Sequence, residues 1–318
     1  MKLSVIIPTR NRVKYLEQAV DSLLRQIPAP YEIVIVDDAS GEGTRALCAR
    51  LRGLNNGTRF IVDTAHAPIG AQAARNRGLD LATGDCVLFL DDDDVIAEGG
   101  IAPLISELEK DPSLSYVYGQ VIKADAELEP IKRFGPIGSK FSSSARDIAG
   151  YHWSVMAAIY RRDYLKKVGS WNESLTGSQD WEYQARVKMA GGKGKYIEHV
   201  VACWRDHSGP RVGTKAFRRD YTYSVIRACL SIYDRAVSAG LADQALERRL
   251  AMKMLIHSAE LSVNGCGSDR RNNMGYIAGV LHHNSFLKYM IILWAQLPVY
   301  LDGLILWILK IRSRDDKK

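Results

Sequence analysis

A run of five apolar residues, 86–90, ends directly on four consecutive aspartates at positions 91–94. The run has the length and composition of a buried strand in a parallel sheet. Such sheets bind ligands at the carboxyl ends of their strands, so the carboxylates stand where a site is expected. Four neighbouring negative charges repel one another unless a cation lies among them, and oxygen ligands suit Mg²⁺ or Mn²⁺. A solvated acidic turn is the alternative that this run alone leaves open.

Strand-like and helical patterns alternate through the first 125 residues. The strand-like runs cover residues 3–7, 32–36, 58–62 and 86–90. Helical spacing covers residues 13–27, and an Ala-rich segment, 71–81, predicts a helix that is broken at Gly78. This alternation predicts an α/β fold with a parallel, doubly wound sheet. Further strands are predicted over 115–122 and 155–160, with a mobile loop over 124–150 between them.

The length and cysteine content limit the class of protein. A chain of 318 residues is long enough for a full core and for two modules. Its five cysteines are odd in number, widely spread and without a CxxC pair, which favours a reducing compartment over a disulfide framework or a zinc site. The first apolar stretch is too short for a signal-peptide core and is interpreted as the first strand.

Positive charge is concentrated in the C-terminal third of the chain. Residues 1–210 carry 26 Lys and Arg against 27 Asp and Glu, whereas residues 211–318 carry 17 against 9. Strand signals fade beyond residue 214 and long helical patterns follow, which predicts a module boundary near 212–216. A basic module of this kind indicates an anionic surface as its partner.

The segment 289–309 is almost entirely apolar and is long enough to span a bilayer. Pro298, Asp302 and Gly303 interrupt it, and basic residues follow it. We therefore favour an interfacial pair of helices within 286–311 whose basic rim contacts anionic lipid. A spanning helix and a buried or dimer-forming helix are the alternatives.

Several short segments resemble those of one enzyme family when they are taken in their order and spacing. They read SVIIPTRNR from residue 4, EIVIVDDAS from 32, ARNRGLDLATGD from 74, VLFLDDDDV from 87, VGSWNESLTGSQDWEYQARV from 168 and WRDHSGPRV from 204. Over residues 3–212 the chain resembles the family-2 glycosyltransferases with the GT-A fold. The resemblance implies a Rossmann-like, mostly parallel central sheet with flanking helices, to which this chain adds a helical C-terminal extension.

The resemblance implies that the first two strands form the nucleotide pocket. Asp38 would bind the base, and Pro8, Thr9 and Asn11 would line its pocket. Arg10 stands where many relatives carry an aromatic residue, and a guanidinium plane can also stack on a base. The departure at Arg10 leaves the identity of the base open.

The resemblance also identifies Asp91, Asp92 and Asp93 with the DxD motif of the family. Asp91 would face the ribose, and Asp93 would bind Mn²⁺ or Mg²⁺ directly. His207 matches a position that can complete the metal shell. Arg75 would offset charge on the diphosphate.

The general base of the family corresponds to Asp180. Ser178 is a candidate N-cap for a helix that would place Asp180 in its first turn and end at Gly191 and Gly192. Gln179 stands where many relatives carry Glu, and Glu182 is the rival base.

We therefore predict a metal-dependent, inverting glycosyltransferase that moves a sugar from a nucleotide-diphosphate donor, UDP-sugars being favoured, to a saccharide or lipid-linked acceptor. Cell-surface polysaccharide or glycolipid synthesis is the predicted setting, on the cytoplasmic face of the membrane. Residues 1–212 would form the catalytic domain, divided into nucleotide-binding (1–125) and acceptor (126–212) halves, and residues 213–318 would form the helical region.

The alternatives are a nucleotidyltransferase and a non-catalytic sugar-nucleotide-binding membrane module. The first would be expected to carry a Gly-rich phosphate loop, and the sequence has neither GxGxxG nor GxxxxGK[ST]. No nucleic-acid partner is predicted because the basic third lacks a reading motif. A homodimer stays open.

Overall fold

A computed structural model of the chain describes residues 1–134, 148–150, 153–207 and 219–261, together with residues 274, 277, 278 and 288. The chain divides into two compact units. The first comprises Met1–Phe141, His152–Glu173 and Ala190–Gly209, and the second comprises Ser142–Tyr151, Ser174–Met189 and Pro210–Lys318. The predicted module boundary near 212–216 lies outside the described residues.

The first unit contains one mixed sheet, in which the described residues form nine strands. The strands are β1 (Leu3–Thr9), β2 (Glu32–Asp37), β3 (Arg59–Thr64), β4 (Cys86–Phe89), β5 (Val95–Ile96), β6 (Leu114–Ala124), β7 (Pro130–Phe134), β8 (Ala158–Arg161) and β9 (Lys193–Arg205). Their order is β3-β2-β1-β4-β8-β6-β9-β5, with β7 paired to β6. The predicted Rossmann-like α/β class is confirmed, with β1 to β4 parallel.

Strands β1, β2 and β4 form the centre of the parallel part. Every residue of the three strands is buried, which explains why their sequences are continuous apolar runs. Thr9 lies opposite Asp37 where β1 and β2 end, and the N–H of Leu90 donates to the carbonyl oxygen of Ile6 at 3.0 Å. The segments that follow these strands therefore start at the same edge of the sheet.

Within the described residues of the first unit, five helices pack on this sheet or connect its strands. They are α1 (Val13–Leu24), α2 (Glu42–Arg52), α3 (Ala71–Leu81), α4 (Ala102–Lys110) and α5 (Arg162–Val168). Helix α1 buries Leu16, Val20 and Leu23, as its helical spacing predicts. The expectation that it extends to residue 27 is wrong, since Ile27 is 86% exposed and Pro28 cannot continue the helical hydrogen bonds.

Gly78 does not break α3, contrary to the prediction. The helix continues through it, and a Cβ atom at this position would lie 2.4 Å from Cγ2 of Ile6. The glycine therefore permits close packing of α3 on β1.

Two other expectations are only partly met. The strand predicted over 115–122 is β6, but the segment predicted over 155–160 begins as a short 3-10 helix, Val155–Ala157, before β8. Strand β7 occupies part of the predicted loop, whose residues 135–147 and 151–152 lie outside the described residues. Strand β9 was not predicted, because its first half alternates exposed and half-buried residues and lacks an apolar run.

The second unit is helical over its described residues. It contains α6 (Gln179–Met189), α7 (Arg219–Ser238) and α8 (Gln244–Leu261). Helices α7 and α8 share an apolar core, to which α7 contributes Cys229 and Ile232 and α8 contributes Leu250 and Met254. The helical patterns predicted beyond residue 214 are confirmed for 219–238 and 244–261.

The structure leaves the predicted interfacial helices untested. Residues 286–311 lie outside the described part of the chain except for Lys288. Among the helices that are described, none combines the length and the apolar character needed to cross a membrane.

Candidate active site

The loop between β1 and α1 is joined by hydrogen bonds to the segment after β2. The N–H of Asp38 donates to the carbonyl oxygen of Thr9 at 2.8 Å. The N–H of Asn11 donates to Oγ of Ser40 at 2.9 Å, and Oδ1 of Asn11 accepts the N–H of Gly41 at 2.7 Å. Asn11 adopts a φ of 56°, a conformation that asparagine tolerates better than most residues. Thr9, Asn11 and Asp38 are thus brought together.

The Asp38 carboxylate is buried and holds the loop that precedes α3. Its Oδ1 accepts the N–H of Ile69, and its Oδ2 accepts the N–H of Gly70 at 3.2 Å. Each carboxylate oxygen has two lone pairs, so these bonds leave capacity for a further N–H donor. Pro8 is buried in β1 opposite Val36.

Asp92 is a buried anchor between the segments that follow β1 and β4. Its Oδ2 accepts a hydrogen bond from Oγ1 of Thr9 at 2.7 Å and lies 3.4 Å from the backbone N of Arg10, whose residue is exposed. Nη1 of Arg12 lies 2.9 Å from Oδ1 of Asp92. Burial raises the pKa of Asp92 to about 6, although Arg12 acts in the opposite direction.

Asp93 shares Arg12 with Asp92 and also contacts His207. Nη1 of Arg12 lies 2.6 Å from Oδ2 of Asp93, and Nε2 of His207 lies 3.0 Å from the same oxygen. Burial lowers the pKa of Arg12, but the two carboxylates outweigh this effect and the pKa is raised overall. His207 is buried, and its ring lies 5.1 Å from the ring of Tyr15.

Asp91 forms an ion pair with the buried guanidinium of Arg75. That guanidinium lies over the ring of Trp171, 4.7 Å from its centroid. Asn76 fixes the backbone of Trp171, because its Oδ1 accepts the Trp171 N–H at 2.7 Å and its Nδ2 donates to the Trp171 carbonyl at 3.1 Å. Arg75 supplies the cation, and its neighbour Asn76 positions the Trp171 ring beneath that cation.

Arg205 holds the backbone of the acidic turn. Its N–H donates to Oδ1 of Asp94 at 2.9 Å, and its Nε donates to the carbonyl oxygen of Asp93 at 2.9 Å. The other two guanidinium nitrogens donate to the carbonyl oxygen of Ala126 at 2.6 Å and to Oε1 of Gln18 at 2.8 Å. Burial, followed by the neighbouring aspartates, raises the pKa of Asp94 well above its usual value.

The carboxylates of this turn fit a hard divalent cation. Asp91, Asp93 and Asp94 each offer one oxygen, and the three oxygens lie within 4.8 Å of one another. Asp92 is outside this set, and its carboxylate contacts Thr9 and Arg12. An all-oxygen set of this size, with an imidazole beside it, is suited to Mg²⁺ or Mn²⁺.

Sequence reasoning assigned no role to Arg12 or Arg205, although both stand in segments that carry the family resemblance. Their neighbours in sequence gave no signal, since arginines on a loop and at the end of a strand are usually solvated. Only the tertiary structure shows that both side chains reach the turn at residues 91–94.

In the second unit, Asp180 lies half-buried in the first turn of α6, as predicted. The helix begins with a bond from the N–H of Glu182 to the carbonyl of Ser178 at 3.0 Å. Glu182 is 1% exposed and pairs with Arg186 through bonds of 2.8 and 2.9 Å. Its Oε1 also accepts a hydrogen bond from Oγ of Ser231 at 2.7 Å. These contacts give Glu182 a structural role and weaken it as the rival base.

Of the predicted site residues, all but one belong to the first unit. That unit holds Pro8, Thr9, Arg10, Asn11, Asp38, Arg75, Asp91, Asp92, Asp93 and His207. The second unit holds Asp180.

Comparison with known proteins identifies a family that the sequence matches. The family described as Glycosyl transferase family 2 matches residues 4–169, more than half of the chain. The sequence is 31% identical over 211 residues to a PGL/p-HBAD biosynthesis glycosyltransferase of Mycobacterium tuberculosis, covering 65% of this chain and 77% of the relative. It is 30% identical over 141 residues to the GalNAc(5)-diNAcBac-PP-undecaprenol beta-1,3-glucosyltransferase of Campylobacter jejuni, covering 44% of this chain and 42% of that protein.

Solved structures show the same fold. S. aureus TarS 1-349 in complex with UDP-GlcNAc superposes with a TM-score of 0.67 at 18% identity, covering 97% of this chain and 89% of that one. The predicted GT-A type fold is therefore confirmed.

Proposed function

The chain belongs to glycosyl transferase family 2, and on that premise we propose that it transfers a sugar from a nucleotide-diphosphate donor to an acceptor hydroxyl with inversion at the anomeric carbon. One observation carries the proposal. The segments that follow β1, β2 and β4 bring Thr9, Asn11 and Asp38 to the same sheet edge as the acidic turn. Ligands of open α/β sheets bind at this edge. Family membership argues against the nucleotidyltransferase alternative.

We propose that the donor is a UDP-sugar. Asp38 would accept a ring N–H of the base, while Pro8, Thr9 and Asn11 line the pocket and Arg10 stacks on the base. Asp91 would face the ribose and Arg75 the diphosphate. The similarity to TarS, whose structure contains UDP-GlcNAc, supports this choice of nucleotide.

Asp93 and His207 would hold a divalent ion, Mn²⁺ or Mg²⁺, with Asp91 and Asp94 close enough to contribute. When bound, the ion would offset the negative charge of the leaving diphosphate. Arg205 supports this role because it fixes the carbonyl of Asp93 and the carboxylate of Asp94.

Asp180 would act as the general base. It would take the proton of the acceptor hydroxyl while that oxygen forms a bond to the anomeric carbon and the bond from that carbon to the diphosphate oxygen breaks. Its position in the first turn of α6 places the carboxylate at the positive end of the helix dipole. Glu182 would take no part in proton transfer because Arg186 and Ser231 occupy it.

We further propose a saccharide or lipid-linked acceptor at the cytoplasmic face of the membrane, in cell-surface polysaccharide or glycolipid synthesis. The name of the C. jejuni relative places an undecaprenol-linked saccharide on its acceptor side, which supports this class. The excess of 17 basic over 9 acidic residues in 211–318 supports an anionic surface. The full chain should sediment with anionic vesicles more than with neutral ones. No vesicle binding, together with a dimeric mass in solution, would favour the dimer-forming alternative.

The experiment that tests the donor proposal measures UDP-sugar binding in Mn²⁺ and in chelator. The wild type should bind more tightly in Mn²⁺, and Asp93→Asn should remove most of that difference. Asp163→Asn, at an aspartate whose side chain is 85% exposed, is the matched control and should bind like the wild type. Equal wild-type binding in Mn²⁺ and in chelator would contradict the metal proposal. Absence of UDP-sugar binding in both would contradict the choice of donor.

A further inference from the structure

Arginine side chains pair with the acidic turn at residues 91–94. Arg75 pairs with Asp91, and Arg12 pairs with both Asp92 and Asp93. Arg205 lies against the backbone of the same turn. Arg75 and Arg12 thus offset part of the repulsion among the four aspartates.

Arg12 differs from the other two arginines because its partner is the proposed metal ligand. Its Nη1 lies 2.6 Å from Oδ2 of Asp93, the same oxygen that faces Nε2 of His207 at 3.0 Å. The side chain of Asp93 is only 15% exposed, so little water screens this ion pair. A divalent ion that binds this oxygen would meet the guanidinium at the same position.

We propose that Arg12 competes with the divalent ion for Asp93 and sets the affinity of the site for free metal. This inference rests on the proposed metal site and concerns the function of Arg12 within it. Metal binding breaks the contact between Arg12 and Asp93, while the guanidinium keeps its contact with Asp92.

The geometry around Asp92 makes such an exchange feasible. Asp92 is buried, and Thr9 fixes it through a 2.7 Å bond that does not involve Asp93. Arg12 therefore retains a carboxylate partner at 2.9 Å when Asp93 is taken from it. The Arg12 side chain is 26% exposed, which leaves room for a small movement away from Asp93.

The test measures binding of MnCl₂ alone to the full chain, by calorimetry and by the electron paramagnetic resonance of free Mn²⁺. Arg12→Gln removes the competing charge, so Mn²⁺ should bind on the order of tenfold more tightly, the equivalent of one charge-assisted hydrogen bond. Arg12→Lys keeps a positive charge but loses the guanidinium whose Nη1 contacts both carboxylates, so its Mn²⁺ affinity should lie between those of the wild type and Arg12→Gln.

Two further variants keep the result interpretable. Lys14→Gln removes an exposed positive charge from the start of α1, two residues from Arg12, and should leave Mn²⁺ affinity within about twofold. Arg12→Gln/Asp92→Asn removes both members of the Arg12–Asp92 pair and should bind Mn²⁺ more tightly than Asp92→Asn alone. This second comparison replaces the first if thermal unfolding shows that Arg12→Gln does not fold.

The outcomes separate this inference from the proposed function. Unchanged or weaker Mn²⁺ binding in folded Arg12 variants, with Mn²⁺-dependent UDP binding intact in the wild type, would overturn the role of Arg12 alone. An equal gain in Mn²⁺ affinity in Lys14→Gln would also overturn it. The gain would then come from the electrostatic potential of all nearby positive charges and not from the contact between Arg12 and Asp93. Failure of every variant to bind Mn²⁺, with or without UDP, would overturn the metal site and this inference together.

Discussion

Neighbouring carboxylates pair with guanidinium groups in different ways in the first turn of α6 and in the acidic turn at residues 91–94. On α6, the buried Glu182 has its own cation, Arg186, in a two-bond pair on the same helix. Asp180 lies two residues earlier and is half-buried. In the acidic turn, one guanidinium, that of Arg12, serves both the buried Asp92 and the more accessible Asp93.

The difference determines how independent each proposed functional carboxylate is. Glu182 is held by Arg186 and Ser231, so we expect a change at Asp180 to leave the Glu182–Arg186 pair intact. Asp93 is coupled to Asp92 through Arg12, so its chemistry depends on a residue that also maintains the structure. In both regions, burial and pairing distinguish structural acids from candidate functional ones, which the residue type alone does not.

The largest expected effect tests the independence of Asp180. Asp180→Asn should lower turnover on the order of 10²-fold or more, the loss typical of a general base, because the amide cannot accept the acceptor proton. Donor affinity and the thermal midpoint should remain close to wild type. Steady-state rates, nucleotide binding and thermal unfolding measure the three quantities. A large loss of stability with no loss of turnover per folded molecule would give Asp180 a structural role.

The complementary change is Glu182→Gln. It removes the carboxylate from a guanidinium whose side chain is 3% exposed, and breaking such a buried pair destabilises proteins by about 3–5 kcal/mol. Urea unfolding should show this loss, whereas turnover per folded molecule should change little. Arg186→Gln should cost a similar amount, and the double variant should cost less than the two losses added together. A turnover defect in folded Glu182→Gln as large as that of Asp180→Asn would move the base to Glu182.

The effect expected from a change at Arg205 is of intermediate size. It tests whether donor binding depends on the bonds that fix the backbone of the acidic turn. Arg205→Lys loses the planar fork that reaches three acceptors, so we expect a loss of about 2 kcal/mol in stability and several-fold weaker Mn²⁺-dependent donor binding. The matched control is Arg161→Lys, at a residue that also donates to two backbone carbonyls, those of Leu114 and Leu108. It should reduce stability but not donor binding. Equal binding defects would indicate a general effect of instability.

The parts of the fold that could be predicted are those in which sequence pattern and burial coincide. The centre of the sheet was predictable because β1, β2 and β4 are buried on both faces and therefore appear as apolar runs. Strand β9 was not, because its pairing with β6 does not require apolar residues at its exposed positions. Gly78 was misinterpreted because a glycine that breaks a helix and one that admits a neighbour have the same sequence signal.

The same limit applies to the candidate site. The carboxylates could be selected from the resemblance and from their place at strand ends. The partners Arg12 and Arg205 could not, since Asp93 lies 81 residues beyond Arg12 and 112 residues before Arg205. Contacts at such separations depend on strand order, which local patterns do not specify. The burial of Asp92 and its bond to Thr9 were likewise not predicted.

Glu32 adds a third kind of buried carboxylate to the comparison. Its hydrogen bonds come mainly from uncharged donors. Its carboxylate accepts hydrogen bonds from Oγ of Ser4 at 2.7 Å and from the N–H and the hydroxyl of Thr83 at 2.6 and 2.8 Å. Nη1 of the exposed Arg59 lies 3.5 Å from the same carboxylate. Burial raises its pKa, but the hydrogen bonds from Thr83 and Ser4 outweigh burial, and the pKa falls below its usual value of 4.5. The ionised form is therefore the one that the fold stabilises.

A group whose pKa is depressed by folding contributes its stability above its unfolded pKa and loses it as the pH falls through the folded pKa. Wild type should exceed Glu32→Gln by about 1–2 kcal/mol at pH 6 to 7, and the difference should shrink below pH 4.5. Urea unfolding of both proteins between pH 7 and 3.5 measures it. Arg59→Gln should leave most of the effect, because an exposed pair contributes little. If the difference in unfolding free energy persists unchanged at low pH, the shape of Glu32 and not its ionisation stabilises the protein. A buried carboxylate in this fold would then need a cation before its charge stabilises the protein.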